Sequence, residues 1–182
     1  MFTGQGSQYP SMGKHLYRVD EAFTEALDEC DRLLVPLIGC SIIDIMHDEP
    51  RQGTEEEKGL TQRKGEPSKL DETRYTQPAL VSLEYSLAMM WMSKGVVPAA
   101  VIGHSVGEVA AACIAGVMSL KDALALVAGR GRLMEALPNK DGVMVAARKS
   151  EADAMAALSK CRGEMRCEQV SVAAANGPAS IV

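Results

Sequence analysis

The sequence predicts an α/β protein, and two observations support that fold class. Short apolar runs typical of strands alternate along the chain with segments whose apolar residues recur at the spacing of amphipathic helices. The 182 residues are 47% hydrophobic and 24% charged, which are the proportions of a globular domain with a buried core. We therefore expect a folded domain that contains both kinds of element.

The first elements predicted are the end of a strand, a helix and a loop. Residues 1–8 (MFTGQGSQ) begin with two apolar residues and continue into a Gly-rich turn. After Asp20, a suitable N-cap, apolar residues recur at helical spacing as far as Leu34, which predicts an amphipathic helix. Residues 48–74 are rich in charge and poor in large aliphatic side chains, so we expect a mobile, solvated loop there.

The middle of the chain predicts one strand and three helices. Pro78 suits a first helical turn, Gly95 and Gly116 are natural stops, and Ser119 begins a capping box. The four elements are a helix at 76–95, a strand at 99–103, a helix at 106–115 and a helix at 120–137. The core face expected for the last helix consists of Leu120, Ala123, Leu124, Val127, Met134 and Leu137.

The remaining residues repeat the alternation on a smaller scale. Their predicted elements are a strand at 143–147, a helix at 150–160, a strand at 169–175, a turn at 176–178 and the start of another strand at 180–182. This order predicts a second, smaller subdomain, so we divide the chain into residues 1–140 and 141–182. Because the chain begins and stops within predicted strands, we expect the domain to be incomplete at both ends.

Charge and cysteine content exclude several classes of function. The net charge of −5 and the pI near 5.3 argue against a nucleic-acid-binding surface. No apolar run is long enough for a membrane span, so no membrane partner is expected. The five cysteines are scattered, without a Cys-x-x-Cys pair, which suits a reducing, cytoplasmic compartment and indicates no metal site.

A Gly-His-Ser-Val-Gly pentapeptide lies where the predicted strand meets the predicted helix, at residues 103–107. A strand that turns straight into a helix through Gly-x-Ser-x-Gly forces the serine into a strained, projecting conformation at the helix N-terminus, which favours a nucleophilic Ser105. The alternative is a buried turn with a capping serine. None of the three histidines is assigned as the base, because His104 lies inside the turn and His15 and His47 lie in contexts typical of exposed or loop residues.

Arg130 falls at the edge of the apolar face of the 120–137 helix, whereas Arg132 falls on the opposite face. An arginine turned towards an apolar interior needs an anion, and its fork of donors suits two-pronged contact with a carboxylate. Helix geometry alone leaves two interpretations open: an anionic substrate, or a structural ion pair with a nearby Asp or Glu.

Four segments carry a family resemblance. They are FTGQGSQYPSMG (2–13), TRYTQPALVSLEYSLAMMW (73–91), GHSVGEVAAACIAGVMSLKDALALVAGRGRLM (103–134) and AAANGP (173–178). Together they resemble the acyltransferase domain of modular polyketide synthases and the related malonyl-CoA:acyl carrier protein transacylase of fatty acid synthesis. The resemblance implies a large α/β-hydrolase-like subdomain with a small ferredoxin-like subdomain inserted in it.

The resemblance also implies an activity and its residues. Ser105 would take an acyl group from coenzyme A as an ester and pass it to the phosphopantetheine thiol of an acyl carrier protein, without a cofactor. The oxyanion hole would consist of the backbone N–H groups of Gln5 and Val106, and neighbouring synthase domains such as a ketosynthase would be partners. The positions that the resemblance assigns to substrate binding are Arg130, Gln77, His104 and Asn176. Arg130 would pair with the free carboxylate of the acyl unit, and both Val106 and the Thr76-Gln77 pair favour malonyl over methylmalonyl.

Two features of the family pattern are missing from this sequence. Its longer first strand is reduced to Met1, Phe2 and Thr3, and its catalytic histidine lies beyond the Asn-Gly-Pro turn, where no residue here can be assigned. We therefore expect little transfer activity from residues 1–182 alone. The alternatives are a serine hydrolase or thioesterase that uses the same turn, and a truncated, non-catalytic scaffold.

Overall fold

Seven α-helices, one 3₁₀ helix and a two-stranded sheet make up the part of the chain that this computed structural model describes, residues 1–48, 68–138, 144–161 and 170–182. The elements are α1 (Lys14–Val19), α2 (Glu21–Ile38), α3 (Ile42–His47), a 3₁₀ helix (Lys69–Asp71), α4 (Thr73–Ser93), α5 (Gly107–Ile114), α6 (Leu120–Glu135), α7 (Glu151–Cys161), β1 (Ala175–Gly177) and β2 (Ser180–Ile181). The described residues form two compact units, Met1–Leu137 and Pro138–Val182. The fold is α/β but mostly helical.

Helix α4 is the centre of the first unit. It packs against α2, α3, α5 and α6, so side chains on nearly all of its faces are buried. Helix α2 contributes Phe23, Leu27 and Leu34 to the same core, and the Asp20 carboxylate accepts a hydrogen bond from the Phe23 N–H at 3.0 Å. The predicted cap and apolar face of α2 are therefore confirmed.

The start of α4 corrects the sequence prediction. The helix begins at Thr73 rather than at residue 76, and the 3₁₀ helix precedes it within the segment predicted as solvated loop. Leu70 is only 1% exposed, and its burial anchors this turn against the core. Pro78 consequently lies within the helix, where it cannot donate to the carbonyl four residues earlier. The rest of that predicted loop, residues 49–67, lies outside the described residues.

The predicted strands are reduced to short pairings. Residues 99–103 form one parallel bridge, in which the Phe2 N–H donates to Ile102 at 2.8 Å and the His104 N–H donates to Phe2 at 3.0 Å. In the second unit, Ala147 forms an antiparallel bridge with Ile181, and β1 pairs antiparallel with β2. Residues 143 and 169, at the ends of predicted strands, lie outside the described residues.

The predicted cap of α6 is confirmed, and α7 is capped in the same way. The Ser119 hydroxyl accepts from the Asp122 N–H at 3.1 Å at the start of α6, and the Ser150 hydroxyl does the same for Asp153 at 3.1 Å at the start of α7. The core face predicted for α6 is correct only in its first turns. Its last two members are exposed, Met134 to 43% and Leu137 to 60%.

Candidate functional site

Ser105 has a left-handed backbone conformation, with φ of 53°. Side chains with a Cβ rarely adopt this region, so the conformation stores strain that the surrounding contacts must hold. The turn is closed by two hydrogen bonds, from the Gly107 N–H to His104 at 3.0 Å and from the Glu108 N–H to Ser105 at 3.1 Å. The side chain is exposed and stands at the N-terminus of α5. The predicted strained, projecting serine is confirmed as a backbone conformation.

Both glycines of the pentapeptide are required by close backbone approaches. A Cβ on Gly103 would lie 2.2 Å from the backbone of Gly107, and a Cβ on Gly107 would lie 2.2 Å from the carbonyl oxygen of Thr3. The first glycine lets the chain turn back over its own helix, and the second lets α5 meet the N-terminal segment. The turn and residues 2–3 therefore form one tightly packed substructure.

The loop after Thr3 lies against this turn. A Cβ on Gly4 would lie 2.6 Å from Nδ1 of His104, so the imidazole packs directly over the Gly4 backbone. The hydroxyl and N–H of Ser7 both donate to the Gly4 carbonyl, at 2.9 and 3.3 Å, which closes the loop around Gln5. Among the hydrogen bonds between described residues, neither the Gln5 N–H nor the Val106 N–H is a donor. Neither amide therefore has an acceptor among the described residues.

Gln5 and Gln77 are in contact, as a shared site would require. Nε2 of Gln77 donates to Oε1 of Gln5 at 3.3 Å and lies 3.3 Å from the sulfur of Met134. Nε2 of Gln5 in turn donates to the Thr73 hydroxyl at 3.2 Å, at the start of α4. Gln77 is fully buried, and its Oε1 has no partner among the described residues. An unpaired buried amide oxygen is costly, which favours a donor group in this cluster during function.

Arg130 is half-buried on α6, whereas Arg132 is exposed, as their helix positions predict. Among the described residues, the side chain of Arg130 makes no ion pair or hydrogen bond. The carboxylates of Glu72 and Glu135 are bound by Arg74 instead, at 2.6 and 3.5 Å. The ion-pair alternative for Arg130 therefore has no candidate partner in the described part of the chain.

The other predicted residues lie apart from this cluster or outside its unit. His15 is exposed on α1, and His47 on α3 makes an edge contact with the ring of Tyr17 at 5.5 Å between centroids. Asn176 lies in β1 of the second unit rather than in a turn. The assignment of Asn176 to substrate binding stays a prediction, as does the approach of Arg130 to Ser105.

Two residues of this region were missed by sequence reasoning, Glu84 and Gly131. Glu84 is 7% exposed, and its Oε1 accepts from both the N–H and the hydroxyl of Thr3, the latter at 2.7 Å. Burial raises the pKa of its carboxyl above the usual range. The available signal was a lone acidic residue in the apolar α4 sequence. Gly131 adjoins Arg130, and a Cβ there would lie 2.8 Å from the Thr73 carbonyl oxygen, so it sets the α4–α6 crossing.

The described residues contain neither a metal-binding cluster nor a membrane-spanning helix. No group of three or more His, Cys, Asp or Glu side chains is arranged to hold a metal ion in this part of the chain. No helix within it is both long and apolar enough to span a membrane.

Comparisons with known proteins add independent findings. Residues 1–182 match the family model of the acyl transferase domain. The chain is 41% identical over 182 residues to the spectinabilin polyketide synthase system protein NorB of Streptomyces orinoci, and it covers 100% of its own length and 8% of that protein's.

Two solved structures show the same fold at appreciable identity. The acyl transferase domain of ZmaA superposes with a TM-score of 0.78 at 36% identity, over 99% of this chain and 38% of that one. An acyl carrier protein S-malonyltransferase from Vibrio cholerae O1 biovar eltor superposes with a TM-score of 0.74 at 30% identity, over 99% of this chain and 52% of that one. The chain thus spans only part of each protein that it resembles.

Proposed function

This chain belongs to the acyl transferase domain family, and from that premise we propose that it carries a malonyl-type unit from coenzyme A to an acyl carrier protein through an ester on Ser105. The observation that carries the proposal is the conformation of Ser105, strained at φ 53° and projecting at the start of α5. A serine held in this way can meet an acyl carbonyl without rearrangement of the backbone.

The first half-reaction loads the serine. The Ser105 hydroxyl loses its proton to a base, its Oγ forms a bond to the thioester carbonyl carbon, and the carbon–sulfur bond then breaks to release coenzyme A as the thiol. The negative charge that develops on the carbonyl oxygen needs fixed donors, and the available N–H groups of Gln5 and Val106 suit that role. In the second half-reaction, the phosphopantetheine thiol gives up its proton and its sulfur bonds to the ester carbonyl carbon. The bond from that carbon to Oγ then breaks, so the acyl group leaves as a thioester and Ser105 regains its hydroxyl proton.

Arg130 is proposed to select acyl units that carry a carboxylate. Its guanidinium is half-buried and without a carboxylate partner among the described residues, so a malonyl carboxylate could supply two charge-assisted hydrogen bonds. Val106 is buried beside the serine and Gln77 lies against Gln5, which is consistent with the lean towards malonyl. Thr76 is buried and donates its hydroxyl to Leu70 at 2.6 Å, so its part in selection is to fix the start of α4.

Membership of the family also bears on the subdomains and the partners of this chain. We propose an α/β-hydrolase-like subdomain over residues 1–140 and part of a ferredoxin-like subdomain over 141–182, where α7, β1 and β2 lie. The partners proposed are the acyl carrier protein and neighbouring synthase domains, because the relative NorB belongs to a polyketide synthase system.

The test replaces Ser105 and Arg130 separately in the full protein and measures loading from malonyl-CoA by intact mass, beside hydrolysis of a neutral aryl acetate. S105A should form no adduct. R130A should load malonyl about 10- to 100-fold more slowly, since a hydrogen bond to a charged group contributes about 1.5–3 kcal/mol, yet it should keep its reaction with the neutral ester.

Arg132 provides the matched control, because it lies on the exposed face of the same helix and R132A should load at the wild-type rate. Unchanged malonyl loading in R130A would contradict the role of Arg130. An adduct on a residue other than Ser105 would contradict the proposed function itself.

A further inference from the structure

Glu84 is a buried carboxylate for which the reaction as proposed has no use. It is 7% exposed, in the middle of α4, and its Oε2 is buried with no partner among the described residues. Burial of a carboxylate costs on the order of several kcal/mol unless hydrogen bonds compensate for the lost hydration. An apolar side chain of similar size would avoid that cost. The bonds that Glu84 does make therefore indicate what it contributes.

Among the described residues, both hydrogen bonds of the Glu84 carboxylate come from a single residue. Oε1 accepts from the backbone N–H of Thr3 and from its hydroxyl, the latter at 2.7 Å. Two bonds from one residue to one oxygen fix the backbone of Thr3 relative to α4. The Thr3 hydroxyl also contacts the Ser7 hydroxyl at 2.8 Å, and Ser7 donates to Gly4 at 2.9 Å. The loop that carries Gln5 is thus linked to the buried carboxylate.

The opposite side of Thr3 faces the serine turn. The carbonyl oxygen of Thr3 lies where a Cβ on Gly107 would fall, within 2.2 Å of it. Thr3 is therefore held between Glu84 on α4 and the first residue of α5. Gln5 follows Thr3 by two positions, and Val106 precedes Gly107 by one. A displacement of Thr3 would change the separation of the Gln5 and Val106 amides.

We propose that Glu84 is a positioning residue, which holds Thr3 so that the N–H groups of Gln5 and Val106 converge on the same oxyanion. This inference rests on the proposed function, since it assigns Glu84 a part in the acylation of Ser105. Glu84 touches no substrate in this scheme. Its raised carboxyl pKa, which burial causes, is consistent with a group retained for its bonds rather than for its charge.

The test uses the full protein and compares E84Q, E84M and T3V. Glutamine keeps an acceptor for both Thr3 donors, methionine fills the space without an acceptor, and valine at position 3 removes only the hydroxyl. Acylation of Ser105 by malonyl-CoA is followed by quenched-flow intact mass to give a maximal rate and a KM, and each variant is checked by thermal unfolding. S86A is the matched control, because Ser86 is also buried on α4 and its hydroxyl donates within the helix, to the Ser82 carbonyl at 2.8 Å.

E84M should lower the maximal acylation rate by about 10- to 100-fold with KM within about threefold of wild type, since misplaced oxyanion donors act on the transition state. E84Q should restore the rate to within about threefold of wild type, T3V should fall between the two, and S86A should match wild type. Valine is isosteric with threonine, so T3V separates the loss of the hydrogen bond from a packing defect. Unchanged acylation in E84M, or equal loss in E84M and E84Q, overturns the inference.

If E84M does not fold, the test rests on T3V. A reduced maximal acylation rate in T3V supports the role of Glu84, and an unchanged rate overturns it. The proposed function and the role of Glu84 are contradicted by different results. Wild-type protein that forms no adduct at Ser105 removes the proposed function, whereas wild-type acylation that E84M reproduces removes only the role of Glu84.

Discussion

The strained conformation of Ser105 is a property of single residues, and the sequence contains its cause. Gly103 and Gly107 each stand where a Cβ would fall 2.2 Å from backbone atoms, so the Gly-x-Ser-x-Gly pattern reports these contacts directly. The position of Arg130 was also predictable from local sequence, because helix periodicity places it at the edge of the apolar face. Glu84 was not, since its partner Thr3 lies 81 positions away in the chain and no local pattern records that contact.

His47 allows a prediction about pH at the residue scale. Desolvation by burial lowers the pKa of its imidazole below the ordinary 6.5, and the positive charge of Lys14 acts in the same direction. The unfolded chain therefore binds a proton here at a higher pH than the folded chain, so this contribution to stability is present above pH 6.5 and is lost as pH falls towards the folded-state value.

We expect H47F to flatten the decline of the melting temperature on acidification. Phenylalanine keeps an aromatic ring beside Tyr17 but does not titrate. The measurement is Tm of wild type and variant from pH 7.5 to 5 in constant ionic strength. The difference between the two, in which other titrating groups cancel, should shift in favour of H47F as pH falls. A constant difference across this range would show that the folded-state pKa of His47 is not lowered.

At the scale of elements, helix boundaries set by local caps were predictable and those set by tertiary contacts were not. Helices α2 and α6 begin at the predicted caps, and α7 is capped in the same way, because the accepting side chain and the N–H that donates to it lie within three residues. The observed start of α4 differs from the predicted one because Leu70 is buried by residues distant in the sequence. The strand predictions were too long for a similar reason, since a strand needs a partner that is often far along the chain, as Phe2 is from Gly103.

Two glycines of α6 allow a prediction about the α4–α6 crossing. A Cβ at position 131 would lie 2.8 Å from the Thr73 carbonyl oxygen and 2.9 Å from the Arg74 Cα, and neither backbone atom can move without shifting the helix. We expect G131A to lower the free energy of unfolding by about 1–3 kcal/mol, as overpacked cores do. Urea unfolding of the full protein, followed at a signal of this domain, measures the change.

The matched variant is G129A, in the same helix, where a Cβ meets nothing within 4 Å. Alanine should raise the free energy of unfolding there by about 0.5–1 kcal/mol, because glycine loses more backbone entropy in a helix. Equal effects of the two substitutions would mean that the helices do not approach closely at residue 131. Opposite signs would confirm that Gly131 serves packing and not helix propensity.

At the scale of the whole molecule, the sequence motifs converge in space to different degrees. The turn at Ser105, the Gly4–Gln5 loop and Gln77 form one contact network within the first unit. Asn176 belongs to the second unit, so its part in the site stays a prediction. The motifs predicted the family, whereas the hydrogen-bond chain that links them required the three-dimensional structure.

Acylation of Ser105 requires a group that accepts its hydroxyl proton. A base must reach the serine Oγ and is itself oriented by a third group. His15 is exposed on α1, the ring of His47 faces Tyr17, and His104 packs over Gly4 within the turn. None of these three histidines is placed to act as the base. We therefore expect the polypeptide of residues 1–182 to retain the oxyanion donors but to lack a base for Ser105.

We therefore expect this polypeptide alone to acylate Ser105 from malonyl-CoA at least about 100-fold more slowly than the full protein, because loss of a catalytic base costs several orders of magnitude even when other groups remain. Intact mass over time measures the adduct, with S105A of the same length as the blank and circular dichroism as the check of folding. Rapid, stoichiometric acylation followed by turnover to carrier protein would contradict this expectation. That result would place the base among residues 1–182, and histidine variants at positions 15, 47 and 104 would then identify it.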